Sequence, residues 1–265
     1  MKCHICAGNS VHAFTRTIMH RYSCKYFFCE TCGLLQTEDP YWLPEAYSNA
    51  IADSDTGLIT RNINISKLVA PLLFSIFRTK GKYLDVAGGY GILTRLMRDR
   101  GFDYFWSDMY CENLFARGYE AASDDTFSAV TAFEVLEHVS DPVLFIHETL
   151  KQAKARTFLF STELFQGTPP IPDSWWYYAF ESGQHISFYQ HKTLKFIANE
   201  LGLNFYSHGS IHLLTDQRMS NLKYRIFSDR YVSRLLSLAL GTVMHSKTMS
   251  DHIDITKMRA KGIKS

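Results

Sequence analysis

The sequence predicts an α/β protein. A mostly parallel sheet carries helices on both faces and follows a small knuckle stapled by metal. Three observations predict this. Four N-terminal cysteines stand as two Cys-x-x-Cys pairs. From Lys82 onward, short apolar runs alternate with helical patterns. A glycine-rich turn joins the first of those runs to the first helix. The length of 265 residues suits one large domain with a small appendage. At 46% hydrophobic and 20% charged, the chain is neither disordered nor fibrous. The net charge of +2 does not by itself provide a field for nucleic acid or a membrane.

Residues 1–38 form the predicted zinc-binding knuckle. Cys3 and Cys6, then Cys29 and Cys32, each let one short turn aim two thiolates at one ion, and together they complete a tetrahedral sulfur site suited to structural zinc. Gly8 and Gly33 follow the pairs and let the backbone fold under the metal. Thr15 to Phe28 reads as a small hairpin. Cys24, His4, His12 and His20 are substitute ligands. A redox pair fits less well, because no thioredoxin-like βαβ pattern surrounds the cysteines. The start, Met1 to Ser10, has no apolar signal core, and the longest apolar stretch, Leu235 to Met244, is too short to span a bilayer. The expectation is a cytoplasmic chain with no transmembrane segment, where clustered thiols bind metal rather than pair.

Residues 39–80 form a helical bridge. Pro40 and Pro44 flank Tyr41 and Trp42, and the helical spacing from Ile59 to Phe77, interrupted at Pro71, predicts two helices. Residues 81–216 form the core. Strands are expected at 83–86, 104–106, 129–133 and 157–161, a helix at 92–100, and a late hairpin at 204–206 and 211–214. Residues 217–265 are helical in pattern. Ile226, Tyr231, Leu235, Leu236 and Leu238 mark an apolar face with Arg225, Arg230 and Arg234 among them. Such a helix packs on the core or in a dimer, or lies on a membrane surface as a peripheral contact.

The turn from Ala87 through Gly88 and Gly89 to Gly91 brings backbone close to a ligand. Asp85 ends the strand before it, and Asp108 ends the next strand, where an acid accepts hydrogen bonds from ribose hydroxyls. Both a nicotinamide dinucleotide and S-adenosylmethionine carry that ribose. A dinucleotide turn wants a third glycine, and Thr94 follows here instead. An acid such as Asp85 is unwelcome near a pyrophosphate and compatible with a sulfonium cofactor.

The run Leu84-Asp85-Val86-Ala87-Gly88-Gly89-Tyr90-Gly91 resembles the first motif of class I S-adenosylmethionine-dependent methyltransferases, of the type 23 kind. Asp108 matches their acid after the second strand, and Phe133 to Val139 followed by Asp141-Pro142 is similar to their segment after the fourth. Ala87 departs from the family, which usually has glycine there. The resemblance covers roughly residues 80 to 215. It implies the Rossmann-like methyltransferase sheet, S-adenosylmethionine as cofactor, and a cofactor site of Asp85, Ala87, Gly88, Gly89, Gly91, Asp108, Met109, Phe133 and Glu134.

Glu134, Glu137 and His138 have helix-compatible spacing, with Glu134 and His138 on one face. The segment reads as pocket wall, or as chemistry, with His138 a general base or the three side chains ligands for a hard cation. A similar Glu-x-x-Glu-His arrangement occurs in ubiquinone-pathway and small-RNA methyltransferases, where the resemblance implies a divalent metal. The aromatic insert 163–190 carries Trp175, Trp176, Tyr177, Tyr178 and Glu181, expected to face the acceptor, or else to pack as a local core. His185 is favoured over His138 as the base that deprotonates an oxygen acceptor. His191, His208 and His212 read as structural or exposed.

The whole-chain plan is similar to bacterial sugar methyltransferases, which carry a four-cysteine unit before the catalytic fold. The expected acceptor is a small molecule or glycan, foremost a sugar hydroxyl in polysaccharide or glycan synthesis. The alternatives are an RNA methyltransferase whose knuckle holds RNA, a ubiquinone-like metal-assisted O-methyltransferase, and a non-catalytic binding module that keeps the fold. The weak net charge argues against nucleic acid as partner.

Overall fold

The computed structural model describes residues 1–48, 55–78 and 80–260. Residues 49–54 and 79 of the expected bridge, and 261–265 of the C-terminal segment, lie outside the described residues. In chain order the elements are β1 (Val11–Ile18), β2 (Tyr22–Phe28), β3 (Leu35–Thr37), α1 (Leu43–Ala46), α2 (Leu58–Phe77), β4 (Lys82–Val86), α3 (Ile92–Asp99), β5 (Asp103–Ser107) and β6 (Ala129–Ala132). They continue as α4 (Pro142–Gln152), β7 (Thr157–Ser161), β8 (Ser187–Phe188), α5 (His191–Glu200), β9 (Asn204–His208), β10 (Ile211–Thr215), α6 (Asn221–Ser228), α7 (Arg230–Leu240) and α8 (Thr248–Ala260).

Two sheets form. The larger has six strands in the order β5-β4-β6-β7-β10-β9. β4 pairs in parallel with β5, to which α3 joins it, and with β6. The late hairpin is antiparallel, Ile211 opposite His208. Flanked by helices, this is the expected Rossmann-like sheet. The smaller sheet has the order β1-β2-β3-β8, antiparallel throughout.

The contacts divide the chain into two compact units. The first comprises Met1–Ala52, Phe133–Thr149 and Leu159–Arg218. The second comprises Asp53–Ala132, Leu150–Phe158 and Met219–Ser265. The expected boundary at residue 38 is therefore not where contacts thin out. β3 takes β8 as its next strand, Leu35 opposite Phe188, and so enlists the aromatic insert.

The first unit owns an aromatic core. Ile18, Cys24, Tyr26, Leu35, Trp42, Tyr177, Tyr178 and Phe188 pack in one buried cluster. In the second unit, α2 packs against α3, α6 and α7. α2 is one helix with Pro71 inside it, where two helices were expected. Pro71 gives up a hydrogen bond, a cost of about 3 kcal/mol. Val69, Ala70, Leu72 and Leu73, all buried on either side of it, hold the helix through. α6 and α7 start at side-chain caps: Ser220 accepts from the Lys223 amide, and Asp229 from those of Tyr231 and Val232.

Candidate functional site

In the first unit, Cys3, Cys6, Cys29 and Cys32 place their sulfurs within 4.8 Å of one another. The Cys3–Cys32 and Cys6–Cys29 separations are both 3.4 Å. A disulfide needs about 2.05 Å, so these are thiols turned toward one centre. The turns explain the convergence. The Ala7 amide donates to the Cys3 carbonyl and the Gly33 amide to that of Cys29. Gly33 has φ +81°, and a Cβ there would lie 2.4 Å from Gln190 Oε1. Of the substitute ligands, Cys24 is fully buried in the aromatic core, where burial pushes its thiol up to about 12. His4 Nδ1 lies 3.0 Å from the Ser140 carbonyl.

In the second unit, the glycine turn is built as the sequence suggests, with one revision. Gly89 has φ +54° and a Cβ there would meet nothing within 4 Å, so the turn opens to free space at that point. Gly88 and Gly91 have no such room. A Cβ at Gly88 would sit 2.8 Å from the Trp106 ring, and one at Gly91 2.6 Å from Asn113 Oδ1. Trp106 Nε1 donates to the Gly89 carbonyl at 2.8 Å and fixes the turn from outside. Ala87 adopts φ +53°, the left-handed conformation that explains why glycine is usual at this position.

Asp108 accepts from the Gly89 amide at 2.9 Å through Oδ2, and from the Tyr110 and Cys111 amides through Oδ1. A carboxylate offers about four acceptor positions, which leaves one for a ribose hydroxyl. Met109 beside it is 91% exposed. The revision concerns Asp85, expected to face the cofactor. It is buried and accepts from Thr94 Oγ1 at 3.2 Å and Thr131 Oγ1 at 3.1 Å, tying β4 to α3 and β6 beneath the turn. Burial pushes its carboxyl up to about 7 despite those two bonds. The open space at Gly89 and the free position at Asp108 fit S-adenosylmethionine.

The histidines gather in the first unit. The segment after β6 is not a helix with Glu134 and His138 on one face. It is a three-residue 3-10 turn, Leu136–His138, entered through Glu134 at φ +56°. That turn aims Glu134 away. Its Oε1 accepts from Ser161 Oγ at 2.6 Å, while the same Ser161 oxygen accepts from the Glu134 amide. Phe133 precedes it, half-buried. His185 takes the place expected for Glu134. Glu137, His138 and His185 bring one ligand atom each within 4.8 Å of the others.

The hydrogen bonds around the three set their chemistry. His185 Nδ1 lies 2.7 Å from the Tyr177 carbonyl. A carbonyl only accepts, so Nδ1 carries a proton. His138 Nδ1 lies 3.1 Å from the Gln184 carbonyl and 2.9 Å from the Tyr47 hydroxyl, which gives it the same preference. The rings are 4.8 Å apart and perpendicular. Glu137 is fully buried, and the Tyr177 hydroxyl donates to its Oε1 at 2.7 Å. Burial and the charge of Glu137 push that phenol well above its usual range. The arrangement presents basic nitrogen beside a fixed carboxylate.

The aromatic insert divides. Tyr177 and Tyr178 are fully buried, and Trp175 packs edge-on against Tyr178 at 5.0 Å. Tyr177 and Tyr178 are core, not an acceptor platform, and half-buried Trp175 packs against them as a cover for the small sheet. Trp176 is 76% exposed, and Glu181 is exposed. His212 is a buried structural histidine. Its Nε2 donates to the Thr162 carbonyl, and burial lowers it to about 4.

A family model described as a methyltransferase domain matches residues 60–208. No curated protein matches the chain. Among solved structures, magnesium protoporphyrin IX methyltransferase from Synechocystis, with S-adenosylhomocysteine bound, is 13% identical. That likeness covers 66% of this chain and 94% of that one, with a TM-score of 0.41. An O-methyltransferase family 2 protein from Planctomyces limnophilus, in complex with apigenin, is 15% identical over 66% of this chain and 65% of that one, TM-score 0.44. A methyltransferase of calicheamicin biosynthesis is 12% identical over 68% and 60%, TM-score 0.47.

Proposed function

The chain belongs to the methyltransferase-domain family of S-adenosylmethionine-dependent enzymes, and from that premise we propose that it methylates a hydroxyl of a sugar or glycan with His185 as general base. The observation that carries this reading is the Nδ1 contact of His185 with the Tyr177 carbonyl, which fixes the ring and makes Nδ1 the donor. S-adenosylmethionine, when bound, supplies an electrophilic methyl group on a cationic sulfur. The glycine turn and Asp108 hold the cofactor, Asp108 through the ribose. His185 Nε2 takes the hydroxyl proton as the acceptor oxygen attacks. His138, 4.8 Å away ring to ring, orients the acceptor or relays that proton. Glu137 stabilises the imidazolium that forms, and Tyr177 holds Glu137 in place. Trp176 offers an exposed aromatic face suited to a sugar ring. The resemblance of the four-cysteine start and catalytic fold to sugar methyltransferases supports the acceptor class.

The cysteine group holds structural zinc in this reading. Four thiols facing one centre are the donor set that zinc prefers, and a closed site of this kind stabilises the fold without taking part in the reaction. A second reading concerns Glu137, His138 and His185. Two imidazole nitrogens and a carboxylate also suit a divalent cation, which would polarise the acceptor hydroxyl in place of a base.

The test is methyl transfer from labelled S-adenosylmethionine to a panel of nucleotide sugars and glycans, read by product mass. The expected result is a methylated sugar with wild type and its loss with His185→Asn. Turnover only on RNA, or undiminished turnover by His185→Asn, overturns the reading. Activity abolished by a chelator and restored by a divalent salt, at constant zinc content, selects the cation instead. Calorimetry with the cofactor on Asp108→Ala tests the ribose assignment, which unchanged affinity removes.

A further inference from the structure

Two C-terminal helices of the second unit, α6 and α7, carry apolar side chains on their outer faces as well as their inner ones. α7 buries Ser233 and Ser237, which are 1% and 7% exposed. It turns Tyr231, Leu235 and Leu238 to solvent at 66%, 70% and 77%. These positions follow i, i+4 and i+7, one face of the helix. The inner face of α7 packs on α2, with half-buried Leu236 and Leu240, and Arg100, just after α3, donates to the Ser237 hydroxyl. α6 buries Tyr224 but also turns Leu222 and Ile226, one turn apart, outward at 69% and 43% exposed.

The surroundings of this stripe are basic. Between residues 217 and 240, Arg218, Lys223, Arg225, Arg230 and Arg234 stand against Asp229 as the one acid. Asp229 is spent as the α7 cap. The whole chain is only +2, so positive charge is concentrated here. On α7, Arg230 and Arg234 flank the apolar stripe, where long side chains can lift their charges while the neighbouring leucines go down.

We propose that α7, with α6, is an interfacial anchor that lies in the plane of an anionic lipid bilayer. Tyr231, Leu235 and Leu238 enter the boundary of the acyl chains, and the arginines meet lipid phosphates. Both halves of the occupant's chemistry are on this surface. A nucleic acid would satisfy the arginines and leave the leucines wet. A second copy would satisfy the leucines and set two surplus positive charges face to face. An anionic bilayer satisfies both. α7 has 11 residues, about 16 Å of helix, against a hydrocarbon core of about 30 Å, so it lies on the membrane and does not cross it. No helix among the described residues is long and apolar enough to cross a membrane.

Co-sedimentation of the full-length protein with vesicles tests this without any need for turnover. Vesicles of phosphatidylglycerol and phosphatidylcholine should carry wild type down, and pure phosphatidylcholine vesicles should carry about tenfold less or lower. Raising the salt should release it. Leu235→Asp with Leu238→Asp should lower the partition by about tenfold or more, with an unchanged circular dichroism spectrum and unchanged cofactor binding. Both leucines are exposed, so the fold does not depend on them. Equal binding of wild type and the double variant overturns the proposal. So does a wild type that ignores anionic vesicles, and a wild-type dimer that the double substitution splits would then assign the stripe to a second copy.

Discussion

Asp85 ends β4 with its carboxylate between Thr94 and Thr131, and burial raises it to about 7 against an ordinary value of about 3.9. A raised folded value stabilises the fold fully below about pH 4 and loses that contribution as pH rises through about 7. Asp85→Asn lacks the loss. Paired urea melts should therefore show the variant gaining on wild type between pH 5 and pH 8, and a constant difference would refute the buried acid. At His185 the expectation is kinetic. His185→Asn should lower kcat by about 10²–10⁴-fold with a small change in KM. Spacing disclosed Glu137 and His138, because they are adjacent in the chain. It also put Glu134 on the same face as His138, which the structure corrects, because one residue at φ +56° turns that side chain to Ser161. The meeting of His138 with His185 depends on tertiary packing, which local spacing does not encode.

Among the elements, the strands of the larger sheet were legible because each is a short apolar run bounded by turns, and β7 matches its expected limits. The aromatic insert was not legible. Aromatic residues look alike whether they face a ligand or a core, and only pairing with the small sheet separates Tyr178 from Trp176. Gly33 links the knuckle to the insert through its close approach to Gln190 and Lys192. Gly33→Ala combines positive φ with that clash, so thermal melts should report a loss above about 1 kcal/mol. Cys29→Ser should release one zinc equivalent per chain and lower the melting temperature. The same variant with full metal content would refute the four-sulfur site.

Across the whole molecule, the reach of α8 depends on one charge cluster. Arg98, 4% exposed, donates to both oxygens of Asp251, and its guanidinium lies 3.4 Å from the centre of the Tyr119 ring. Asp251→Ala leaves Arg98 with only the half-buried Asp103 and the Tyr104 carbonyl to accept its hydrogen bonds, a cost of about 3 kcal/mol by chemical denaturation. Burial raises the Asp251 carboxyl, but the bonds and charge of Arg98 outweigh it and hold the group below its ordinary value. That contribution is present above about pH 4 and is lost as pH falls through the lower folded value, the opposite sense to Asp85. The sequence displayed the charges of this cluster without their pairing, since Arg98 and Asp251 are 153 residues apart. The same distance effect moved the unit boundaries away from residue 38.

The pairing of β3 with β8 also has a schedule. A ribosome adds about 5–20 residues per second, so the stretch from Thr37 to Ser187 takes roughly 8–30 s to emerge. Throughout that interval the cysteine turns and three strands exist while β3 remains an open edge, a template for unwanted pairing. Early metal capture would hold the nascent hairpin in register until its fourth strand is made. With the thiol cluster taking zinc as proposed, scarcity of the ion during translation, rather than after it, is when this chain is most exposed to misassembly.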